Sequence, residues 1–435
     1  MSVPGGGAPV PGAAGAGRYV AGADPEWAAR AGADPRPLVP VSEFGPFDVL
    51  SDQAHARYLD GDAAAAVAVC ARALPVVEAA GDRQTARYLR YIHCLSHEME
   101  GQWSRLRRCT EDLLQTFDDE PGAGPYWRAK VLGLHAHALI QQGRPAPATA
   151  ALAEAYALVM DNPGVTYNRG SACHAVSVPL YSALLFEPAV DLLRTAQRMH
   201  RSPGPGLAFA AVEEAAVHAT WGLLLELVGL ERQADARYAV CASTALRAGA
   251  AAGGASPWQD RASALLQFAY QRLRCGVVDE RVLRAEAASG SVRATVLPRL
   301  VLLSARGRRG ETAGMAEELG QLRDDARRLG ELVVEWVTSA WLAELHESGH
   351  APSESTRRWR DLALGTLERL WHDREGRFEH LLARRRTAAL RVRLLDEHTR
   401  LWQDALTGVG NRRMLDDLLA VPGAGNRPVV FLDID

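Results

Sequence analysis

YLDGDAAAA at residues 58–66, IQQGRPAPA at 140–148 and LVGLERQAD at 227–235 are the stretches that decide the fold of this chain. In each of them an apolar segment meets a glycine, and a segment containing alanine follows. Glycine closes tight turns between helices because it tolerates positive φ, and small side chains let neighbouring helices approach closely. We therefore predict that each stretch is the turn of a helix hairpin.

These turns recur along the chain at a nearly constant distance. Four glycines mark them at intervals of 40, 42 and 86 residues, and they are Gly61, Gly101, Gly143 and Gly229. Phe186 and Glu187 stand where a fifth glycine would fall. A period in this range is typical of stacked helix hairpins. We predict a mainly α fold over residues 44–350, with Gly310 and Gly349 as candidates for two further units and a non-repetitive helical bundle as the alternative.

The repeat pattern resembles the tetratricopeptide class in its long form of roughly 40 residues. The resemblance implies an α-solenoid, a superhelix of stacked hairpins whose concave groove holds a peptide or a partner protein. Four tryptophans are large enough to anchor such a ligand: Trp103, Trp127, Trp221 and Trp258. Residues of this size are more often part of a core, and we favour that interpretation for them.

Residues 353–403 are predicted to form one or two long helices that connect the repeats to the segment that follows. Two series recur every seven residues there: Phe378, Arg385, Val392 and Thr399, and Leu381, Ala388, Leu395 and Trp402. The second series is wholly apolar, which is typical of the d seam of a short parallel coiled coil. We favour a homodimer joined along this seam. Packing of the same helix on the last repeat is the alternative.

The last 32 residues, 404–435, read DALTGVGNRRMLDDLLAVPGAGNRPVVFLDID. Their first part fits the pattern D-x-L-T-G-[LV]-x-N-R-R through Asp404, Leu406, Thr407, Gly408, Asn411, Arg412 and Arg413. A helix over 412–420, a Pro/Gly turn at 422–425 and a strand over 429–435 are predicted to follow. The segment resembles the opening of the GGDEF domain of diguanylate cyclases, and this resemblance implies a C-terminal α/β fragment.

The resemblance also implies roles for individual residues. In that family the first Asp of the D-I-D strand end binds Mg²⁺ through its carboxylate, and the next residue binds it through its backbone carbonyl. These positions are Asp433 and Ile434 here. Asp404 and Arg412 match a pair that braces the turn into the domain, which also contains Asn411. The implied substrate is GTP, two molecules of which form cyclic di-GMP.

The later motifs of that family do not occur within the 435 residues. Missing are the F-K-x-x-N-D segment, the GGDEF turn that carries the second metal ligand, and the residues that read guanine. Phosphoryl transfer depends on positioning and on neutralisation of charge by metals and cationic groups. We therefore expect no complete catalytic site in this fragment and no cyclase activity of residues 1–435 alone. A longer chain is expected to be the active enzyme.

Composition argues against several classes of function. The chain has 49 basic and 52 acidic residues, and a net charge of −3 argues against a general binder of nucleic acids or membrane surfaces. Lys130 is the only lysine, so a phosphate-binding loop or a Schiff base has no lysine in a suitable context. The six cysteines form no C-x-x-C motif and indicate a reducing compartment. No apolar run reaches the roughly 18 residues of a membrane span. We expect a cytoplasmic protein.

The remaining features of the sequence are weaker signals. Residues 1–40 are dominated by Gly, Ala and Pro and are predicted to be a disordered arm. His93 and His97 have a spacing that can hold a metal on a helix, whereas His135 and His137 do not share a helix face. We interpret both pairs as hydrogen-bonded helix residues. No serine, histidine and acid can be singled out as a triad.

These observations predict a signalling protein of the diguanylate cyclase family. A helical-repeat sensor or scaffold would control synthesis of cyclic di-GMP from GTP in a longer, homodimeric form. The alternative is a non-catalytic module of tetratricopeptide type that binds a peptide or protein and carries a vestigial GGDEF start.

Overall fold

The computed structural model describes residues 47–118, 124–162, 167–199, 204–254, 256–275, 279–288, 292–347, 353–402 and 411–412. Within these ranges the chain forms sixteen α-helices and no strand, so the prediction of a mainly α fold is confirmed. The helices are α1 (Asp48–Leu59), α2 (Ala63–Ala79), α3 (Arg83–Met99), α4 (Trp103–Asp118), α5 (Pro125–Gln141), α6 (Pro145–Met160), α7 (Tyr167–Ser182), α8 (Phe186–Met199), α9 (Pro205–Leu227), α10 (Glu231–Ala252), α11 (Pro257–Arg272), α12 (Glu280–Ala287), α13 (Val292–Arg308), α14 (Met315–Leu329), α15 (Leu332–Glu347) and α16 (Glu354–Trp402).

Local sequence explains where several helices begin. The Asp62 carboxylate accepts a hydrogen bond from the backbone N–H of Ala65 at 2.9 Å and so caps α2. Asp82 caps α3 in the same way by accepting from the N–H of Thr85 at 3.1 Å. Helices α5, α6, α9 and α11 have a proline in the first turn, where a backbone N–H has no partner within the helix.

The hairpin turns have the backbone conformation that their glycines allow. All five described glycines that were predicted to mark turns have φ values between 67° and 81°: Gly61, Gly101, Gly143, Gly229 and Gly310. The fifth expected turn contains Leu184 at φ 63°, two residues before the predicted position, and α8 already begins at Phe186. A left-handed leucine is strained. Burial of its side chain, which is 3% exposed, offsets that cost.

The helices form a continuous packed array. Helices joined by a short turn pack against each other, and each odd-numbered helix from α1 to α15 also contacts the next odd-numbered one. Buried side chains form two clusters within the described residues, a smaller one from Ala54 to Ala138 and a larger one from Ala129 to Leu381. The core therefore runs along the array and includes α16.

The turn between α14 and α15 packs on the ends of helices much earlier in the chain. The Arg328 guanidinium donates to the carbonyl oxygen of Met99 at 3.2 Å. The Gln141 amide donates to the carbonyl oxygen of Gly330 at 3.3 Å, and the Tyr181 hydroxyl donates to Glu331 at 3.2 Å. These contacts join the end of the array to α3, α5 and α7.

Helix α16 occupies the segment predicted to connect the repeats to the C-terminal fragment. It contacts α6 and buries Trp371 and Leu381, which are 5% and 1% exposed. Phe378 packs against the same core. The first residues of the heptad series thus contact the chain's own earlier helices. Farther along, Leu390 and Leu394 are exposed.

None of the described helices is both long enough and apolar enough to cross a membrane.

Candidate functional site: the contact surface of α16

One face of α16 contacts the helical array. Trp371, Arg374, Phe378, Leu381 and Arg385 are three or four residues apart, so their side chains share one side of the helix. This spacing is the heptad pattern found in the sequence. The residues of the array that contact this face of α16 are Tyr156, Asp161, Glu187 and Trp221, and we call them the α16 contact surface.

Arg374 forms the first polar anchor. It makes an ion pair with Glu187 in the first turn of α8, where the helix N-terminus also favours a carboxylate. The Arg374 side chain is only 14% exposed. Its guanidinium lies 3.7 Å from the ring centroid of Trp371 and 6.0 Å from that of Trp221. The aromatic rings shield the ion pair from water, so it is stronger than a surface pair.

Arg385 forms the second anchor, nearly three helical turns later. It donates to Asp161 at 3.0 Å and lies over the Tyr156 ring at 5.1 Å from the centroid. Leu381 lies between the two anchors and is almost fully buried. The contact therefore has an apolar centre between two ion pairs. Charges at both ends determine the register of α16 on the array.

Trp221 connects α16 to a buried polar group inside the array. Its ring stacks on Phe186 at 5.3 Å and on His218 at 5.9 Å, and the guanidinium of Arg237 lies 3.5 Å from its centroid. Burial lowers the pKa of His218, and the neighbouring Glu214 carboxylate acts against this shift. The nearest carboxylate oxygen, in Glu214, lies 3.7 Å from its Nε2.

Glu214 is fully buried and charged. Burial alone would raise its pKa, but His218, a hydrogen bond from Gln197 at 2.6 Å and one from Arg194 at 2.8 Å lower it to about 2. A buried carboxylate with several donors rigidifies its surroundings. It therefore holds α8 and α9, two helices that carry the α16 contact surface.

The four tryptophans that were considered as ligand anchors differ in their burial. Trp127 and Trp221 are buried, so their interpretation as core residues is confirmed. Trp103 and Trp258 are half-buried. Trp127 lies against the only lysine, since the Nζ of Lys130 is 4.1 Å from its ring centroid; the same Nζ donates a hydrogen bond to the side-chain oxygen Oδ1 of Asn168 at 2.7 Å. Lys130 is thus packed into the array and not presented to solvent.

Most of the predicted GGDEF residues lie outside the described ranges. These are Asp404, Asp433 and Ile434. Of the predicted turn, Asn411 is half-buried and Arg412 is exposed and helical. The two predicted Mg²⁺ ligands, Asp433 and Ile434, are therefore not among the residues that the structure describes. The predicted strand over 429–435 and the arm over 1–40 also lie outside the described residues.

Three of the four paired histidines, His97, His135 and His137, form hydrogen bonds in the described residues. The rings of His93 and His97 are 4.7 Å apart, and Nδ1 of His97 lies 3.1 Å from the Gln102 amide oxygen. His135 contacts the Thr110 hydroxyl at 3.0 Å. No group of three or more His, Cys, Asp or Glu residues is positioned to hold a metal in the described part of the chain.

Tertiary packing brings together a serine, a histidine and an acid that sequence reasoning missed. Nδ1 of His137 lies 2.6 Å from Glu98, and its Nε2 lies 3.4 Å from the Ser182 hydroxyl. All three are buried near the ends of α3, α5 and α7, and Ser182 donates to the Val178 carbonyl. In the sequence His137 is 39 residues from Glu98 and 45 residues from Ser182, about one repeat in each case. This spacing is the signal by which the group could have been found. The group ties successive hairpins together beneath Gly330.

Comparison with known proteins adds no assignment, because no protein-family model matches the chain and no curated protein matches it. The resemblances to the GGDEF opening and to tetratricopeptide repeats rest on the quoted residues and remain predictions. The α16 contact surface is the candidate site that the described residues themselves provide.

Proposed function

We propose that the chain is a cytoplasmic signalling protein in which a tetratricopeptide-like α-solenoid positions a long helix that leads into a diguanylate cyclase domain. The observation that carries the proposal is the seam of α16. Its first part, around Leu381, is held by the array, and its continuation leads towards residues 404–435 with their GGDEF-like pattern. A rigid helix between a receptor array and a catalytic domain transmits position.

Two arrangements of α16 would give regulation. In the arrangement of this structure, Glu187 and Asp161 hold the helix through ion pairs with arginines. A peptide or protein that binds in the solenoid groove and competes for these carboxylates would favour a released arrangement. The released helix would expose its heptad seam to a second copy. A homodimer would then bring two cyclase domains together.

The chemistry proposed for the longer chain follows the family resemblance. Each cyclase domain would bind one GTP, and Asp433 and Ile434 would contribute a carboxylate and a carbonyl oxygen to Mg²⁺, which neutralises phosphate charge. Asp404 and Arg412 would brace the turn into the domain. The 435 residues alone are proposed to be inactive.

The test uses a chain that continues past Asp435 through a whole cyclase domain. Formation of cyclic di-GMP from GTP is measured for the wild type and for a variant with Asp161→Asn and Glu187→Gln. We expect the rate to rise by roughly three- to tenfold, because weaker docking of α16 shifts the balance towards the released arrangement that forms the homodimer. The control is Glu318→Gln, which removes another partly buried ion pair, with Arg306 at 2.6 Å, between α13 and α14.

Equal rates in all three proteins would contradict regulation through α16. A coding sequence without F-K-x-x-N-D and G-G-[DE]-E-F after codon 435 would contradict the cyclase itself. In that case the second candidate applies, a binding module of tetratricopeptide type with a vestigial GGDEF start. The extent of the packed array, which takes up most of the described residues, supports this candidate.

A further inference from the structure

Two cysteines on adjacent helices face each other across one hairpin. Cys94 lies seven residues before Gly101 on α3, and Cys109 lies eight residues after it on α4. Residues equally far from the turn of a helix hairpin lie opposite each other. The two sulfur atoms are 2.6 Å apart. A disulfide bond is about 2.05 Å long, so the sulfurs need to approach by only about 0.5 Å to form one.

The two thiols have different surroundings. Cys94 is fully buried, whereas Cys109 is half-buried and lines an open cleft of about 570 Å³. Arg90, Arg105 and Arg108 also line this cleft, with Asp112 as its one acidic residue. Only one of the two sulfurs is therefore accessible from the cleft.

The surroundings of Cys109 lower its pKa. A hydrogen bond from the Cys94 thiol is the largest cause; burial and the nearby Asp112 carboxylate act against it, and the positive charge of Arg90 acts with it. Burial raises the pKa of Cys94, which keeps that residue a protonated donor. A thiolate beside a thiol, in a cationic and accessible cleft, is the arrangement of a reactive cysteine and its resolving partner.

We infer that Cys94 and Cys109 form a reversible disulfide, with a hydroperoxide as the oxidant that enters through this cleft. The Cys109 thiolate attacks the OH-bearing oxygen of the hydroperoxide and forms an S–O bond while the O–O bond breaks. The alkoxide or hydroxide that leaves takes up the proton that the Cys109 thiol released to solvent, and so departs as an alcohol or water. Cys109 is then a sulfenic acid. The Cys94 sulfur attacks the Cys109 sulfur, the S–O bond breaks, and water leaves with the Cys94 proton.

The hydroperoxide is the only oxidant that this reaction needs. Two thiols are oxidised to one disulfide, and the hydroperoxide is reduced to one alcohol, or water, and one water. A thiol reductant such as dithiothreitol reverses the change. The bond would fix α3 to α4 beside the turn at Gly101, against which Arg328 packs.

The test treats the folded chain with hydrogen peroxide and maps its cysteines by mass spectrometry. A Cys275→Ser background removes the exposed thiol, which would otherwise join separate molecules. Trypsin places the two cysteines on different peptides, 91–105 and 109–128, because arginines precede both. We expect these peptides to become linked, with a mass loss of about 2 Da for two hydrogens, and to separate again after reduction.

Variants separate the two steps. Cys94→Ala removes the resolving thiol, so dimedone should trap a sulfenic acid on peptide 109–128. Cys109→Ser should abolish both the linkage and the adduct. Cys173→Ser, at another buried thiol, is the control and should leave the linkage unchanged.

Two outcomes would overturn the inference. One is that Cys94 and Cys109 remain unlinked at a peroxide concentration that oxidises Cys275 in the unmutated chain. The other is a linkage of either residue to Cys70, the buried thiol on α2, in place of the expected pair. The peptide map of the parent chain decides between them even if a variant fails to fold.

Discussion

The carbonyl oxygen of Arg328 lies so close to the α-carbon of Gly101 that a Cβ added at position 101 would come within 3.0 Å of it. Gly101 is the turn of the α3–α4 hairpin, and Arg328 is in the last turn of α14. Both a positive φ and a close backbone approach therefore require glycine at this position. The contact joins the end of α14 to the α3–α4 hairpin.

Gly101→Ala should destabilise the chain far more than the same change at an equivalent turn. We expect a loss of about 3 kcal/mol or more in the free energy of unfolding, since left-handed strain adds to a backbone clash. The control is Gly143→Ala, where φ is 68° and no atom lies within 4 Å of the added Cβ. Its loss should be about 1 kcal/mol. Urea denaturation followed by circular dichroism measures both, and equal losses would contradict the contact.

Leu381→Ala should loosen α16 from the array. Leu381 is 1% exposed, and truncation of a buried leucine costs about 2–5 kcal/mol. Leu394→Ala, on the same helix but 63% exposed, should change stability by less than about 0.5 kcal/mol. Limited trypsin digestion provides a second measurement, because cleavage at Arg384–Arg386 should accelerate only in Leu381→Ala. Unchanged cleavage in that variant would show that Leu381 does not hold the helix.

A double-mutant cycle measures the anchor between Arg374 and Glu187. With Arg374→Gln and Glu187→Gln, we expect a coupling energy of about 1–2 kcal/mol, because the pair is mostly shielded from solvent. The same cycle on Arg358 and Glu354 is the control. That pair lies within α16, its side chains are 79% and 71% exposed, and it should couple by only about 0.3–0.5 kcal/mol. Coupling of similar size in both cycles would argue against a docked α16.

Stability should fall in acid because of His55. Burial, followed by the positive charge of Lys130, lowers the pKa of His55 to about 4, and the Tyr88 hydroxyl lies 2.9 Å from its Nδ1. In the unfolded chain its pKa is about 6.5. Below pH 6.5 the unfolded state therefore takes up the proton first, so the folded state loses stability as pH falls from about 6.5 to about 4.

His55→Gln should remove about 2–3 kcal/mol of this acid-dependent loss. The measurement is urea denaturation at several pH values between about 7 and 4, the window between the unfolded and folded pKa values of His55. His372→Gln, whose side chain is 69% exposed, is the control and should leave the pH dependence unchanged. A His55→Gln profile that matches the parent profile would disprove the assignment.

The hairpin turns were predictable because they are local. A glycine at φ near 70° is required wherever a tight turn joins two helices, so Gly61, Gly143 and Gly229 could be recognised one by one. Leu184 could not, since a leucine in that conformation is tolerated only when its side chain is buried by the surrounding helices. The turn expected near Phe186 was therefore placed two residues late.

The heptad seam of α16 also shows what a local sequence pattern cannot predict. A repeat of seven residues identifies the apolar face of a helix but not what covers that face. Phe378 and Leu381 were assigned to a dimer seam, and the structure packs them against the chain's own core. The group of Glu98, His137 and Ser182 was missed for a related reason, because its members are far apart in sequence.

The sequence by itself determined the helices, their turns and their period, since propensity, capping and glycine conformation act over a few residues. It also contains the GGDEF-like pattern from Asp404 to Asp435, which lies mostly outside the described structure. Only the tertiary structure decided that Arg328 meets Gly101, that α16 packs on Glu187 and Asp161, and that Cys94 meets Cys109. Such contacts depend on how small angles between successive hairpins add up along the array, and no short stretch of sequence encodes that sum.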